Sequence, residues 1–293
     1  MNKRPAERYS LVEPSIRPGL VPVLAMSGGM VGVAVAVTAA DRFTPEWIVW
    51  TFFASALTGT ALVVGGLGWR SWVQLSGPRL PLGLHRLDVA AGLAVVIILG
   101  CVLGAHLLGI GLRGPVLVGA MSAGAAPCLA TMVAIGRTAT RRNLGAGGAN
   151  AVDMLSQLQL LLRRMLSSTG ALVALSTLAL GAALRRSEEV LGSSGTDPLS
   201  DLLPFAGIGS IVIALAYAPA TAAIRHALRD DLRRLFPLEQ AASGDAAVAV
   251  LKKREELRAL AIGSHGIYDD VTASLIVASP LITAALQRLL PQA

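Results

Sequence analysis

The chain has 293 residues, of which 54% are hydrophobic and only 15% are charged, with 31 glycines in addition. Soluble domains contain about 45–50% apolar residues with glycine included and about 25% charged residues, so the composition excludes an ordinary soluble protein. The formal net charge is +7, but the basic residues are scattered between long uncharged runs. Membrane topology explains that pattern better than nucleic-acid binding does, and we expect no nucleic-acid partner.

Six apolar runs are long enough, or nearly so, to cross a hydrocarbon layer of about 30 Å, for which a helix needs about 20 residues. Within lipid every backbone polar group must be satisfied inside the segment, so the runs are predicted to be helices. They cover residues 20–40, 47–68, 87–111, 115–135, 166–184 and 202–224. The predicted fold class is an all-α integral membrane protein, a bundle of six transmembrane helices.

The basic residues alternate between high and low numbers in the segments around these runs. In chain order the segments contain 4, 1, 3, 1, 5, 2 and 8 lysines or arginines. Because cytoplasmic segments carry an excess of lysine and arginine, the basic tail 1–19 and the helical region 225–270 are predicted to be cytoplasmic. Nearly all basic residues are arginines, which we attribute to a GC-rich bacterial genome, so the location expected for the bundle 20–224 is a bacterial cell membrane.

The last apolar segment, in residues 271–293, permits two interpretations. Its core "VTASLIVASPLITAAL" has 16 residues, slightly short for a span, and a mildly polar face that includes Thr272, Ser279 and Thr283. It can lie in the interface plane or pack on cytoplasmic helices, as amphipathic helices do. It can also be a seventh span, which would move the C-terminus to the outer side.

Three amphipathic stretches, residues 150–166, 224–236 and 243–262, are predicted to form a basic cytoplasmic layer. Leucines follow one helical stripe of the second stretch, and Pro237 is predicted to end it. The layer is expected to contact anionic lipid headgroups or a cytoplasmic protein partner. The residues proposed for this contact are Arg225, Arg229, Arg233, Arg234, Lys252 and Lys253.

Small residues are frequent in the apolar runs. Gly100 and Gly104 form a GxxxG pattern that favours close helix packing, either within the bundle or in a homo-oligomer. Pro127 and Pro219 fall inside predicted helices and are expected to kink them.

The sequence lacks recognisable catalytic chemistry. No charged residue lies at mid-depth of a predicted span, His106 is the one imidazole within a run, and Cys101 and Cys128 are predicted to be unpaired thiols. No metal site or cofactor motif is present. The sequence therefore favours a non-catalytic membrane anchor, scaffold or regulatory component. The alternative is a channel or transporter subunit that passes a small solute without a charged relay, and an intramembrane enzyme is the least favoured hypothesis.

Overall fold

A computed structural model of the chain describes residues 20–37, 44–76, 113–141, 149–191, 202–238, 243–262 and 266–289. These ranges contain seven helices and no strand. The helices are α1 (Leu20–Val37), α2 (Pro45–Ser76), α3 (Arg113–Arg141), α4 (Ala149–Leu191), α5 (Leu202–Leu235), α6 (Gly244–Ile262) and α7 (Gly266–Leu289).

Five of the helices, α1 to α5, are long and apolar enough to cross a membrane. The all-helical class predicted from the sequence is confirmed for the described residues, and the five apolar helices fit a membrane protein. The predicted span at 87–111, with Gly100, Gly104, Cys101 and His106, lies outside the described residues.

Helices α1 and α2 form an antiparallel hairpin held by direct backbone contact. A methyl group on Gly28 would lie 2.5 Å from the carbonyl oxygen of Thr58, and one on Gly32 would lie 2.5 Å from the Cα of Ser55. The indole nitrogen of Trp47 donates a hydrogen bond of 3.0 Å to the carbonyl of Ala36. Glycine is therefore required where the helices cross, because no side chain fits between them.

Helices α2 and α3 pack in parallel, again through small residues. Gly124 faces Ala61, and further along both helices Gly68 faces Cys128. The Thr131 hydroxyl donates a hydrogen bond of 3.1 Å to the carbonyl of Gly68. Because the two helices run in the same direction, the end of α2 and the start of α3 lie at opposite ends of the bundle.

Helix α4 is the centre of the described bundle, since it packs against α2, α3, α5 and α7. It is continuous from Ala149 to Leu191, so the amphipathic stretch predicted at 150–166 is its first part. Leu155, Leu158 and Leu162 of that part are buried. Helix α5 runs antiparallel to α4, and Val173 of α4 fills the space beside a glycine of α5.

Helix α7 lies lengthwise along α4 and α5. Ile276 packs directly on Gly170 of α4, and Ala284, two turns further on, is buried with residues at the end of α4 and the start of α5. Pro280 removes the helical donor to the carbonyl of Ile276, and the Ser279 hydroxyl replaces it with a hydrogen bond of 2.7 Å. The segment is therefore packed along the apolar length of the bundle rather than across its end.

The contact of α2 with α3 can be tested at two glycines of α3. A methyl group on Gly124 would lie 2.8 Å from the Cα of Ala61, whereas one on Gly119 would meet nothing within 4 Å. We expect Gly124→Ala to destabilise the bundle by about 1–3 kcal/mol, as overpacking does. Gly119→Ala should be neutral or slightly stabilising, because alanine is the better helix former. Thermal unfolding in detergent measures the stability of both variants. Equal melting temperatures of Gly124→Ala and Gly119→Ala would contradict the contact between α2 and α3.

Candidate functional site

Basic side chains gather at one end of the described bundle, where α3 and α5 end and α4 begins. We call it the basic end. Contacts between Gly136 and Ala220, and between the start of α4 and the second half of α5, place these helix ends at the same level. The basic end contains Arg137, Arg163, Arg164, Arg225, Arg229, Arg233 and Arg234. Segments distant in sequence thus contribute to one charged surface.

A groove of about 840 Å³ runs between α5 and α7 toward the basic end. Its wall on α5 is a stripe of alanines spaced four residues apart, Ala214, Ala218 and Ala222. Its wall on α7 includes Ala273 and Val277. In this apolar part of the groove the facing side chains are small, so they do not fill the space between the two helices.

The groove changes from apolar to cationic along α5. Tyr217 and Thr221 line its middle, and Arg225, His226 and Arg229 line its end. The Thr221 hydroxyl is buried and has no hydrogen-bond partner in the described part of the chain. Two arginines therefore lie one turn apart at the mouth of an apolar channel, and both are charged at any physiological pH.

One carboxylate lies close to this cluster. The His226 Nε2 atom is 3.4 Å from the Asp230 Oδ2 atom, one helical turn further along α5. Asp230 is not among the residues that line the groove. Asp230 therefore contacts the histidine at the groove mouth, beside Arg225 and Arg229.

A second, much smaller cavity of about 10 Å³ adjoins the groove from the side of α4. Tyr217, Thr221 and Arg225 line both spaces, and α4 adds Gln159 and Arg163. Gln159 is only 8% exposed. A cavity of this size holds at most about one water molecule, so the polar side chains behind the groove are closely packed.

Helix α6 is fixed to the end of α5 by an arginine. The Arg254 Nε atom donates a hydrogen bond of 2.9 Å to the carbonyl of Phe236, and its Nη2 atom donates to the same oxygen. The Lys253 ammonium lies 5.4 Å from the centroid of the Phe236 ring. Cations near a helix C-terminus satisfy its last carbonyls and interact favourably with its dipole. Ser243 caps the start of α6, accepting a hydrogen bond of 3.3 Å from the Ala246 amide.

The structure separates the predicted contact residues into two groups. Arg225 and Arg229 line the groove, whereas the others lie beyond it on exposed parts of α5 and α6. The second group is Arg233, Arg234, Lys252 and Lys253. The predicted kink positions, Pro127 and Pro219, lie inside α3 and α5.

The sequence pattern indicated Arg225 and Arg229 of the groove, but it did not indicate Tyr217 and Thr221 or one buried acid. Tyr217, Thr221 and Arg225 follow a four-residue spacing, a signal that places them on one face of α5. Asp231 is only 6% exposed and has a polar interaction. Asp231 lies seven residues, or about two helical turns, after buried Ile224. This spacing places both residues on the same, buried face of α5.

Several buried hydroxyls inside the described bundle are satisfied, whereas five have no hydrogen-bond partner among the described residues, those of Ser55, Ser71, Ser122, Ser210 and Thr221. Thr138 and Thr169 donate to carbonyls one turn back, at 2.7 and 2.8 Å. Among the residues that the structure describes, no group of three His, Cys, Asp or Glu side chains could hold a metal ion. The arrangement best suited to bind a ligand is therefore the groove, which combines an apolar channel with fixed cations and suits an amphipathic anion.

Comparison of the chain with protein-family models, with curated proteins and with solved structures finds no match.

The attachment of α6 can be tested by replacing its arginine. Val248 and Leu251 of α6 are 64% and 50% exposed, and Leu257 is only partly buried against the core, so the Arg254 hydrogen bonds are an important part of its docking. A hydrogen bond to a charged group contributes about 1.5–3 kcal/mol, and we expect Arg254→Gln to release α6. Hydrogen exchange of the α6 amides in the detergent-solubilised protein should then rise at least tenfold. Lys252→Gln removes an equal charge from the same helix and should leave the exchange unchanged; a similar rise in both variants would contradict the role of Arg254.

Proposed function

We propose that the chain is a non-catalytic, multi-pass component of a bacterial cell membrane that presents a basic cytoplasmic surface to anionic lipid headgroups. The observation that supports this most is the gathering of arginines from α3, α4 and α5 at one end of the bundle. An excess of arginine and lysine is typical of the cytoplasmic side of membrane proteins. Each well-placed cation attracts an anionic leaflet by about 1 kcal/mol.

The position of the cations favours lipid as the partner. Arg225 and Arg229 follow directly on the apolar part of α5, at the depth where headgroups begin if that part lies in the hydrocarbon layer. A cytoplasmic protein that binds exposed α6 is the alternative partner. Lipid is preferred because the cations adjoin an apolar channel, which a soluble protein partner would leave unfilled.

We further propose seven crossings, formed by α1 to α5, the apolar run at 87–111, and α7. The parallel packing of α2 and α3 supports a crossing between them, since their connection has to return to the opposite end. Helix α7 has 24 residues and is about 36 Å long, enough for a layer of about 30 Å. Its antiparallel contact with α5 supports an external C-terminus.

The packing of the described helices favours this role over the alternative of a channel or transporter subunit. Two cavities between them, near Thr221 and near Ser122, measure about 10 and 20 Å³. Each is about large enough for a single water molecule. Solute flux in liposomes that contain the purified chain would favour the alternative.

The topology can be tested by labelling cysteines in intact cells. In a chain with Cys101→Ser and Cys128→Ala, one cysteine is introduced as Asp245→Cys, at the exposed start of α6, or appended after Ala293. A membrane-impermeant maleimide should label the appended cysteine and should label Asp245→Cys only after the cells are permeabilised. Labelling of Asp245→Cys in intact cells would contradict the proposed sidedness, and protection of the appended cysteine would contradict α7 as a span.

The lipid preference of the basic surface can be tested with spin-labelled lipids in vesicles. The protein should immobilise more labelled phosphatidylglycerol than labelled phosphatidylcholine, and 0.5 M salt should reduce the difference, because salt screens exposed charges. The difference between the two lipids should also be smaller for the variant Arg233→Gln/Arg234→Gln/Lys252→Gln/Lys253→Gln. Arg113→Gln, at the opposite end of α3, should have no effect. Equal immobilisation of the two lipids by the parent chain would contradict the proposal.

A further inference from the structure

We infer that the groove between α5 and α7 is a site for one phospholipid with an anionic headgroup, whose phosphate lies at Arg225, His226 and Arg229. This inference rests on the proposed placement of α5 and α7 in the bilayer. It goes beyond a general attraction to anionic lipid, because it assigns a single ligand to a defined groove.

The order of side chains along α5 matches the order of chemical groups in a phospholipid. Ala214, Ala218 and Ala222 offer an apolar surface to an acyl chain, the more polar Tyr217 and Thr221 lie beside the ester region, and Arg225 offers a cation to the phosphate. Ala214 and Arg225 are eleven residues apart, which corresponds to about 16 Å along a helix. One leaflet of a hydrocarbon layer of about 30 Å has the same depth.

The charges at the groove mouth select for an anion. Arg225 and Arg229 carry permanent positive charges and can bind phosphate oxygens with several donors each. Asp230 contacts His226 and does not line the groove. A phosphate that also carries an uncharged headgroup alcohol keeps its net negative charge, whereas the choline headgroup cancels it.

Polar side chains lie at the level between the alanine stripe and the arginines. Thr221 and Tyr217 line the middle of the groove on α5. Gln159, more than nine-tenths buried, lies behind Thr221 in the adjoining small cavity, and Ser274 of α7 lines the groove opposite. These side chains make the middle of the groove more polar than its alanine stripe.

The size of the groove also fits a bound ligand. Its volume of about 840 Å³ lies within the usual range of about 300–1,000 Å³ for small-molecule sites. The space is long and lies beside α7, so it suits one acyl chain and a headgroup. A lipid there would fill the gap that small side chains leave between α5 and α7.

The test counts lipids retained by the purified full-length chain in native mass spectrometry, after addition of phosphatidylglycerol or phosphatidylcholine. The parent chain should retain one phosphatidylglycerol saturably and no phosphatidylcholine. Arg225→Gln/Arg229→Gln should weaken retention at least tenfold. The control variant Arg233→Gln/Lys252→Gln removes the same number of positive charges outside the groove. It should change phosphatidylglycerol retention less than twofold.

A second pair of variants tests the apolar channel without changing charge. Ala218→Phe should block the groove and weaken retention at least tenfold, whereas Leu215→Phe, on an exposed face of the same helix, should not. If Arg225→Gln/Arg229→Gln does not fold, the comparison of Ala218→Phe with Leu215→Phe tests the groove site instead. Equal retention by Ala218→Phe and Leu215→Phe would overturn the inference.

Two further outcomes would also overturn it. If inorganic phosphate binds with the same dependence on Arg225 and Arg229, and Ala218→Phe still retains it, the site binds free phosphate rather than lipid. If Arg225→Gln/Arg229→Gln and Arg233→Gln/Lys252→Gln weaken lipid retention equally, the attraction is diffuse. That result contradicts the groove site but agrees with the proposed function. The topology experiment tests that function separately, since lipid retention does not depend on which side the groove faces.

Discussion

The bundle depends on the close approach of helix backbones at small residues. Lipid tails are as apolar as leucine, so helices in a membrane gain little from burying apolar surface against each other and rely on van der Waals packing. Helix α2 meets α1 at Gly28 and Gly32 and meets α3 at Gly124, with distances that admit no side chain. The polar atoms of these interfaces follow from the same constraint. Thr131 reaches the carbonyl of Gly68 on the neighbouring helix because the backbones are so close.

Small residues have the opposite effect where no neighbour among the described residues fills the space. On the α5 face that meets α7, Ala218 and Ala222 leave an open groove, and the charges begin one turn beyond them. The described bundle thus has a densely packed core and, at its side, an open groove that ends at cations. Arg254 then joins α6 to the end of α5, next to the same cations. The proposed role in lipid binding follows from this arrangement rather than from any catalytic group.

The helical class and most helix positions could be predicted, because the need to satisfy backbone polar groups in lipid makes long apolar runs helical. The burial of Ile224, Leu228 and Leu232 also follows from their spacing. The position of α7 could not be predicted from the sequence. Thr272, Ser279 and Thr283 make its second face only mildly polar, and such a face is compatible with both an in-plane helix and a span. Its docking surface on α4 includes Gly170, which is distant in sequence. The groove depends on which residues of α7 lie opposite Ala218, and a single helix pattern contains no such information. The predicted GxxxG pair Gly100 and Gly104 lies outside the described residues.

The central claim is that α7 lies along α5 in the bilayer and that their groove holds an anionic lipid beside the arginines. A structure of the full chain by electron cryo-microscopy, in nanodiscs that contain phosphatidylglycerol, would test it most directly. The account predicts an elongated density between Ala218 and Val277 that ends at Arg225 and Arg229. A helix α7 that lies flat on the membrane surface, or a groove that is closed by side chains, would contradict it.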